Sequence, residues 1–156
     1  MLRGIDPLLS PELLKILCEM GHGDELYVVD ANFTASTLAR GRPIVRLDGI
    51  SLQRACEAIL SVFPLDPAER PVGFMKVCNT PDGHLNEVQQ DVLDVLSRFE
   101  VLTEHCEPIE RFAFYERTRH AYAFVVTGEL RTHANFCFKK AVVRFAAMPE
   151  REQARV

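Results

Sequence analysis

Apolar residues recur along this chain at helical spacing in some stretches and in short β-rich runs in others, and the alternation of the two predicts a layered α/β fold. Leu13, Leu14, Leu17 and Met20 form one apolar stripe. Ser10 stands where an N-cap belongs, Pro11 suits the first helical position, and Glu12 complements the positive end of the helix dipole. Gly21 is then expected to stop the helix in the left-handed conformation, with Gly23 reversing the chain two residues later. Leu26 to Val29 is β-rich, which leaves Asp30 at the carboxyl end of a strand, where open α/β sheets place their ligand crevices.

The pattern continues. Ile44 to Leu47 predicts a strand, and Ser51 caps a helix whose Leu52, Ala55, Ile59, Leu60 and Phe63 share a face until Pro64. Val72 to Val77 reads as a buried strand, Thr80-Pro81-Asp82-Gly83 as a turn, and Leu85, Val88, Val92, Leu96 and Phe99 as a helix. A short helix over Arg111 to Arg119, a strand over Ala121 to Val126, a turn at Gly128-Glu129 and a strand over Phe136 to Val143 complete the order. No internal repeat or low-complexity linker interrupts it. The expectation is one α/β domain over residues 1–143, a central sheet flanked by helices, followed by a polar tail over 144–156.

Composition narrows the function. With 156 residues and 47% hydrophobic content, the chain can bury one sizeable core. A formal charge of -4 and no basic run with interleaved aromatics argue against a nucleic-acid partner. The absence of a leader-like start or of an apolar run of ~18 residues argues against secretion and membrane insertion. Five irregularly spaced cysteines suit reduced thiols in the cytoplasm. No phosphate-cradling glycine set, serine elbow or cysteine nucleophile motif is present, so nucleotide chemistry and covalent catalysis have nothing to recommend them.

What remains is polar. His22, between Gly21 and Gly23 and one strand ahead of Asp30, is placed for proton chemistry on a small ligand, against the plainer reading of a hydrogen-bonding histidine at a helix end. Cys18 stands four residues before it, but a glycine separates the two and no second ligand pair of zinc spacing occurs, so no metal is expected. Arg111 opens a helix, where the dipole disfavours a cation, which hints at a ligand or another subunit, against the equal reading of a solvated surface arginine. His133 and Asn135 precede a strand and can equally be turn residues.

Four blocks, Leu13-Leu14-Lys15 through Glu19-Met20-Gly21-His22-Gly23-Asp24-Glu25, Asp30-Ala31-Asn32-Phe33, Arg111-Phe112-Ala113-Phe114-Tyr115-Glu116-Arg117 and Val126-Thr127-Gly128-Glu129, together resemble the L-fucose mutarotase and D-ribose pyranase family. The match runs from about Met1 to Val143, and the Arg111 block is similar to the fucose branch. The resemblance implies a cytoplasmic ring-shaped homo-oligomer, a decamer, with monosaccharide sites at subunit boundaries and no cofactor. It also implies that His22 is the proton donor and that Asp30, Arg111, His133, Ala134 and Asn135 bind sugar. His133 stands where the family usually has tyrosine, which shortens the reach of the hydrogen-bonding group and brings a titration near neutrality. Lys139-Lys140 is followed by Ala141, where glycine is common. Pyranose–furanose interconversion of the ribose type, a non-catalytic sugar-binding accessory protein and a purely structural oligomer are the alternatives.

Overall fold

The expected alternation builds a six-stranded sheet in the computed structural model, which describes residues 2–143. The elements are α1 (Pro11–Glu19), β1 (Glu25–Val29), α2 (Ala35–Ala39), β2 (Ile44–Leu47), α3 (Leu52–Leu60), β3 (Val72–Met75), α4 (Glu87–Ser97), β4 (Cys106–Ile109), α5 (Arg111–Arg117), β5 (Ala121–Thr127) and β6 (Phe136–Lys139). Strand order is β2-β5-β1-β6-β3-β4. Only β6 is antiparallel to its neighbours, β1 and β3, so the other strands all point their carboxyl ends to one edge. The tail expected over 144–156 lies outside the described residues.

Every residue of β1 is buried because helices cover both faces, which is why its sequence after Glu25 is a continuous apolar run rather than an alternation. Leu26 and Val28 pack with the apolar faces of α1, α3 and α4, while Tyr27 and Val29 pack with α2 and Phe114 of α5. The expected caps form, since Ser10 Oγ accepts from the Leu13 N–H at 3.2 Å and Ser51 Oγ from the Arg54 N–H at 3.3 Å.

Local departures have local causes. Met20 leaves α1 in an extended conformation (φ -60, ψ 132), and Gly21 does not take the left-handed conformation expected of it. The last carbonyls of α1 are met another way: the Lys140 ammonium donates to Leu17 O at 2.6 Å and Met20 O at 2.5 Å. The Gly21 N–H instead donates to Asp24 Oδ2 at 2.8 Å, and only Gly23 is left-handed, at φ 87. The strand expected to reach Val77 stops at Met75, because its partner β6 begins only at Phe136. The one expected to reach Val143 stops at Lys139, where Lys140 turns to α1 and the Ala141 N–H bonds Pro64 O. The helix expected to reach Arg119 ends at Arg117, and 118–120 tighten into a 3₁₀ turn. α3 ends at Leu60, ahead of Pro64, and Phe99 falls outside α4. Two short elements, α2 and the edge strand β4 with its internal Pro108, have too few periodic residues to stand out in the sequence.

Gly73 in β3 has no room for a side chain. A Cβ there would lie 2.7 Å from both Cys137 Sγ and Ile109 Cδ1, and 3.4 Å from Arg117 Nη1. Gly73→Ala is expected to cost about 1–3 kcal/mol by overpacking. Urea unfolding checks this, and an unchanged midpoint would contradict the close packing of α5 on β3.

Candidate functional site

The edge formed by the carboxyl ends of β1 and β3 and the amino end of antiparallel β6 holds a cavity of about 250 Å³. Its lining is Asp30, Asn32, Phe33, Met75, Arg111, Tyr115, Thr132, His133 and Asn135. That volume lies below the ~300–1,000 Å³ typical of drug-sized pockets and suits a small ligand. Phe33, Met75 and Tyr115 supply an apolar side, with the Phe33 and Tyr115 rings 5.7 Å apart between centroids. The opposing groups are donors and acceptors of hydrogen bonds.

Asp30 and Asn135 clamp each other. The Asp30 N–H donates to Asn135 Oδ1 at 3.1 Å, and Asn135 Nδ2 donates back to Asp30 Oδ2 at 2.8 Å. Asp30 Oδ1 accepts from the Asn32 N–H at 2.9 Å, so both carboxylate oxygens are fixed in a buried side chain. Burial pushes the Asp30 carboxyl above its ordinary value of 3.8, against the hydrogen bonds from Asn135, Asn32 and Phe33 and the influence of His133, which pull it down. The folded chain therefore holds that proton more tightly than the unfolded one. Stability from this group is fullest below 3.8 and is lost as pH rises through the raised value. The unfolding free energy of the wild type minus that of Asp30→Asn is expected to fall as pH is raised from below 3.8 to neutrality. A flat difference across urea titrations at stepped pH would contradict this.

Gln89 escaped the sequence reading altogether. It is fully buried in α4, and its Nε2 donates to Met75 O at 2.8 Å and His133 O at 3.2 Å, tying β3 to the loop before β6. The signal was available: Asn86 and Gln89 are spaced as a capping box and form one. His133 is held by this bond in the left-handed region, at φ 60. Its Nε2 accepts from the Cys78 N–H at 3.4 Å, and its Nδ1 is buried without a partner among the described residues. Ala134, expected to touch ligand, is instead fully buried in the core and only spaces its two neighbours.

Arg111 is the first residue of α5, with its Nε 3.4 Å from Tyr115 Oη and its guanidinium 5.7 Å from the Tyr115 ring centroid and 5.8 Å from that of Phe112. The i, i+4 spacing explains the pairing. The helix start is met by Glu110, whose Oε2 accepts from the Phe112 and Ala113 N–H groups, so Arg111 is free to face the cavity. Burial pushes the Cys106 and Cys137 thiols up to about 12, which leaves neither as a nucleophile.

Asp30, Arg111, His133 and Asn135 thus meet in one place, and His22 does not join them. It is exposed at the amino end of β1, the opposite edge of the sheet from Asp30, with its Nε2 3.4 Å from Glu69 Oε1. β1 alone separates the two ends by roughly 13 Å at ~3.3 Å per residue. Asp30 therefore cannot orient the imidazole of its own chain.

A family model described as the RbsD / FucU transport protein family matches residues 3–143. This chain belongs to that family. Family members similar to it include the L-fucose mutarotase of Glaesserella parasuis serovar 5 (strain SH0165), 43% identical over 91% of this chain and 96% of that one. The fucose mutarotase of Danio rerio is 39% identical over 91% and 94% of the two chains. The crystal structure of the Streptococcus pneumoniae fucose mutarotase in complex with L-fucose superposes with a TM-score of 0.83, at 34% identity, over 92% of this chain and all of that one. The mixed sheet flanked by helices is therefore the family fold.

Proposed function

We propose that this protein is an L-fucose mutarotase, an isomerase that interconverts the α and β anomers of L-fucose or a closely related monosaccharide by acid–base ring opening and closure. The observation that supports it most is the cavity in which Asp30, Asn135 and Arg111 face Phe33 and Tyr115. Hydroxyls can pair with the first set while the C–H face of a sugar lies on the second. The chemistry moves only protons and needs no cofactor. An acid donates to the ring oxygen as a base takes the proton of the anomeric hydroxyl, the C1–O bond breaks to leave the open aldehyde, and rotation about C1–C2 presents its other face. Closure reverses both transfers.

His22 is the proposed acid. Asp30, Arg111, His133 and Asn135 are the proposed sugar-binding residues. Burial makes the Asp30 carboxylate more basic than a surface aspartate, which suits it to accept the anomeric proton. Since His22 lies at the other edge of the sheet, the imidazole reaching each cavity belongs to a neighbouring protomer in a homo-oligomeric ring, a decamer. Phe112, 68% exposed, and Leu130, 74% exposed, flank the cavity segments and suit burial by such a neighbour. Among the described residues no helix is long and apolar enough to cross a membrane, and the five free thiols suit the cytoplasm.

Saturation-transfer NMR across a panel of reducing sugars tests the function. Accelerated exchange between the two pyranose anomers of L-fucose, beyond that of D-ribose, is expected. Binding with no acceleration for any sugar would instead identify a sugar-binding accessory protein.

A further inference from the structure

Glu69 bridges an imidazole and an ammonium from distant parts of the chain. Its Oε1 lies 3.4 Å from His22 Nε2 and its Oε2 2.9 Å from Lys139 Nζ. The 3₁₀ turn that presents it, Pro67–Glu69, is fixed on its own account. The Asp66 side chain accepts from the Ala68 N–H at 3.0 Å, Arg70 closes the turn in the left-handed region at φ 47, and the Lys139 N–H bonds Pro71 O at 2.8 Å. The carboxylate is thus anchored to the end of β6 before it meets the imidazole.

Asp24 and Lys140, which flank the same loop, are engaged elsewhere. Asp24 accepts from the Gly21 N–H, and the Lys140 ammonium is spent on the Leu17 and Met20 carbonyls. Lys139, and then His22, hold the Glu69 carboxyl below its ordinary value of 4.5, so it is ionised at neutral pH. An ionised carboxylate only accepts, so the ring nitrogen facing it must hold a proton. A histidine 53% exposed on a glycine-flanked loop would otherwise sample both tautomers and several rotamers.

We infer that Glu69 is a positioning residue for His22: it keeps a proton on Nε2 and leaves Nδ1 as the nitrogen that exchanges a proton with the sugar. The inference rests on His22 being the proton-transfer group. When Nδ1 gives its proton to the ring oxygen, the neutral imidazole keeps its Nε2–H on Glu69, and ring closure returns the proton to Nδ1. The logic is that of a carboxylate orienting a catalytic histidine.

Glu69→Gln separates charge from shape in the full-length protein. Lys139 claims the one remaining carbonyl oxygen, the amide NH₂ turns to the imidazole, and Nε2 must then accept. In ¹⁵N spectra of histidine-labelled protein, His22 is expected to show the Nε2–H tautomer in the wild type and a shift toward Nδ1–H in Glu69→Gln. The L-fucose exchange rate at saturation is expected to fall about tenfold or more, with KM within about twofold. Glu69→Asp, which keeps an ionised acceptor, recovers part of the rate. If His22→Ala loses its rate while Glu69→Gln keeps wild-type kcat, or if the His22 tautomer is unchanged by Glu69→Gln, the positioning role is overturned. Full rate in His22→Ala overturns both this role and the assignment of His22.

Discussion

Arg117→Ala is expected to destabilise the protein by about 3 kcal/mol and to weaken sugar binding at a site it does not touch. Arg117 Nε and Nη2 hold Glu25 Oε1 at 3.1 and 2.7 Å, and its Nη1 holds Glu107 Oε2 at 2.8 Å. Glu25 is buried at the start of β1 and also accepts from Tyr27 Oη at 3.0 Å. Removing the guanidinium leaves that carboxylate buried without its cation, a larger loss than the pair itself contributes. Arg117 is the last residue of α5 and Arg111 the first, so the same loss loosens the helix that aims Arg111 at the cavity. Arg117→Lys, which keeps charge but not the fork, should fall between, and Glu107→Gln at the exposed side should cost under about 1 kcal/mol. Urea unfolding with parallel L-fucose titration checks all three. An unchanged midpoint in Arg117→Ala would contradict the role of this network.

His22→Ala is expected to slow enzyme-dependent anomer exchange by about 10²–10⁴-fold, the range of a positioned general acid, with the fold and stability unchanged. The side chain is exposed and makes no core contact, so its loss leaves no cavity behind. Sugar binding should persist, because the residues that line the cavity remain. Saturation-transfer NMR reads the rate and a sugar titration reads the binding. Wild-type exchange in the variant would remove His22 from the chemistry.

Periodic apolar segments made most of the fold legible. α1, β1, β2 and β5 fall within a residue or two of the expected bounds because their burial repeats at helical spacing or fills both faces of a strand, while α3 stops at Leu60, short of Phe63. Ends were less legible where tertiary partners decide them: α1 is closed by Lys140 from the far end of the chain, which no local rule at Gly21 can foresee. The candidate site was legible in part. Asp30 follows from its place at a strand end, and Arg111 from its discord with the helix dipole. Phe33, Met75, Tyr115 and Gln89 were not singled out, since in sequence they look like ordinary core or helix positions, and only sheet order brings them to one edge. The separation of His22 from Asp30 follows from strand length alone, since β1 lies between them.

Mixing two inactive variants tests most directly whether imidazole and cavity come from different chains. His22→Ala and Asp30→Ala are each expected to lose L-fucose anomer exchange in saturation-transfer NMR. When the two are dissociated together and reassembled, boundaries that pair an intact His22 with an intact Asp30 cavity should restore a substantial fraction of wild-type exchange. No recovery in assemblies shown by mass to contain both variants would contradict a site shared between protomers.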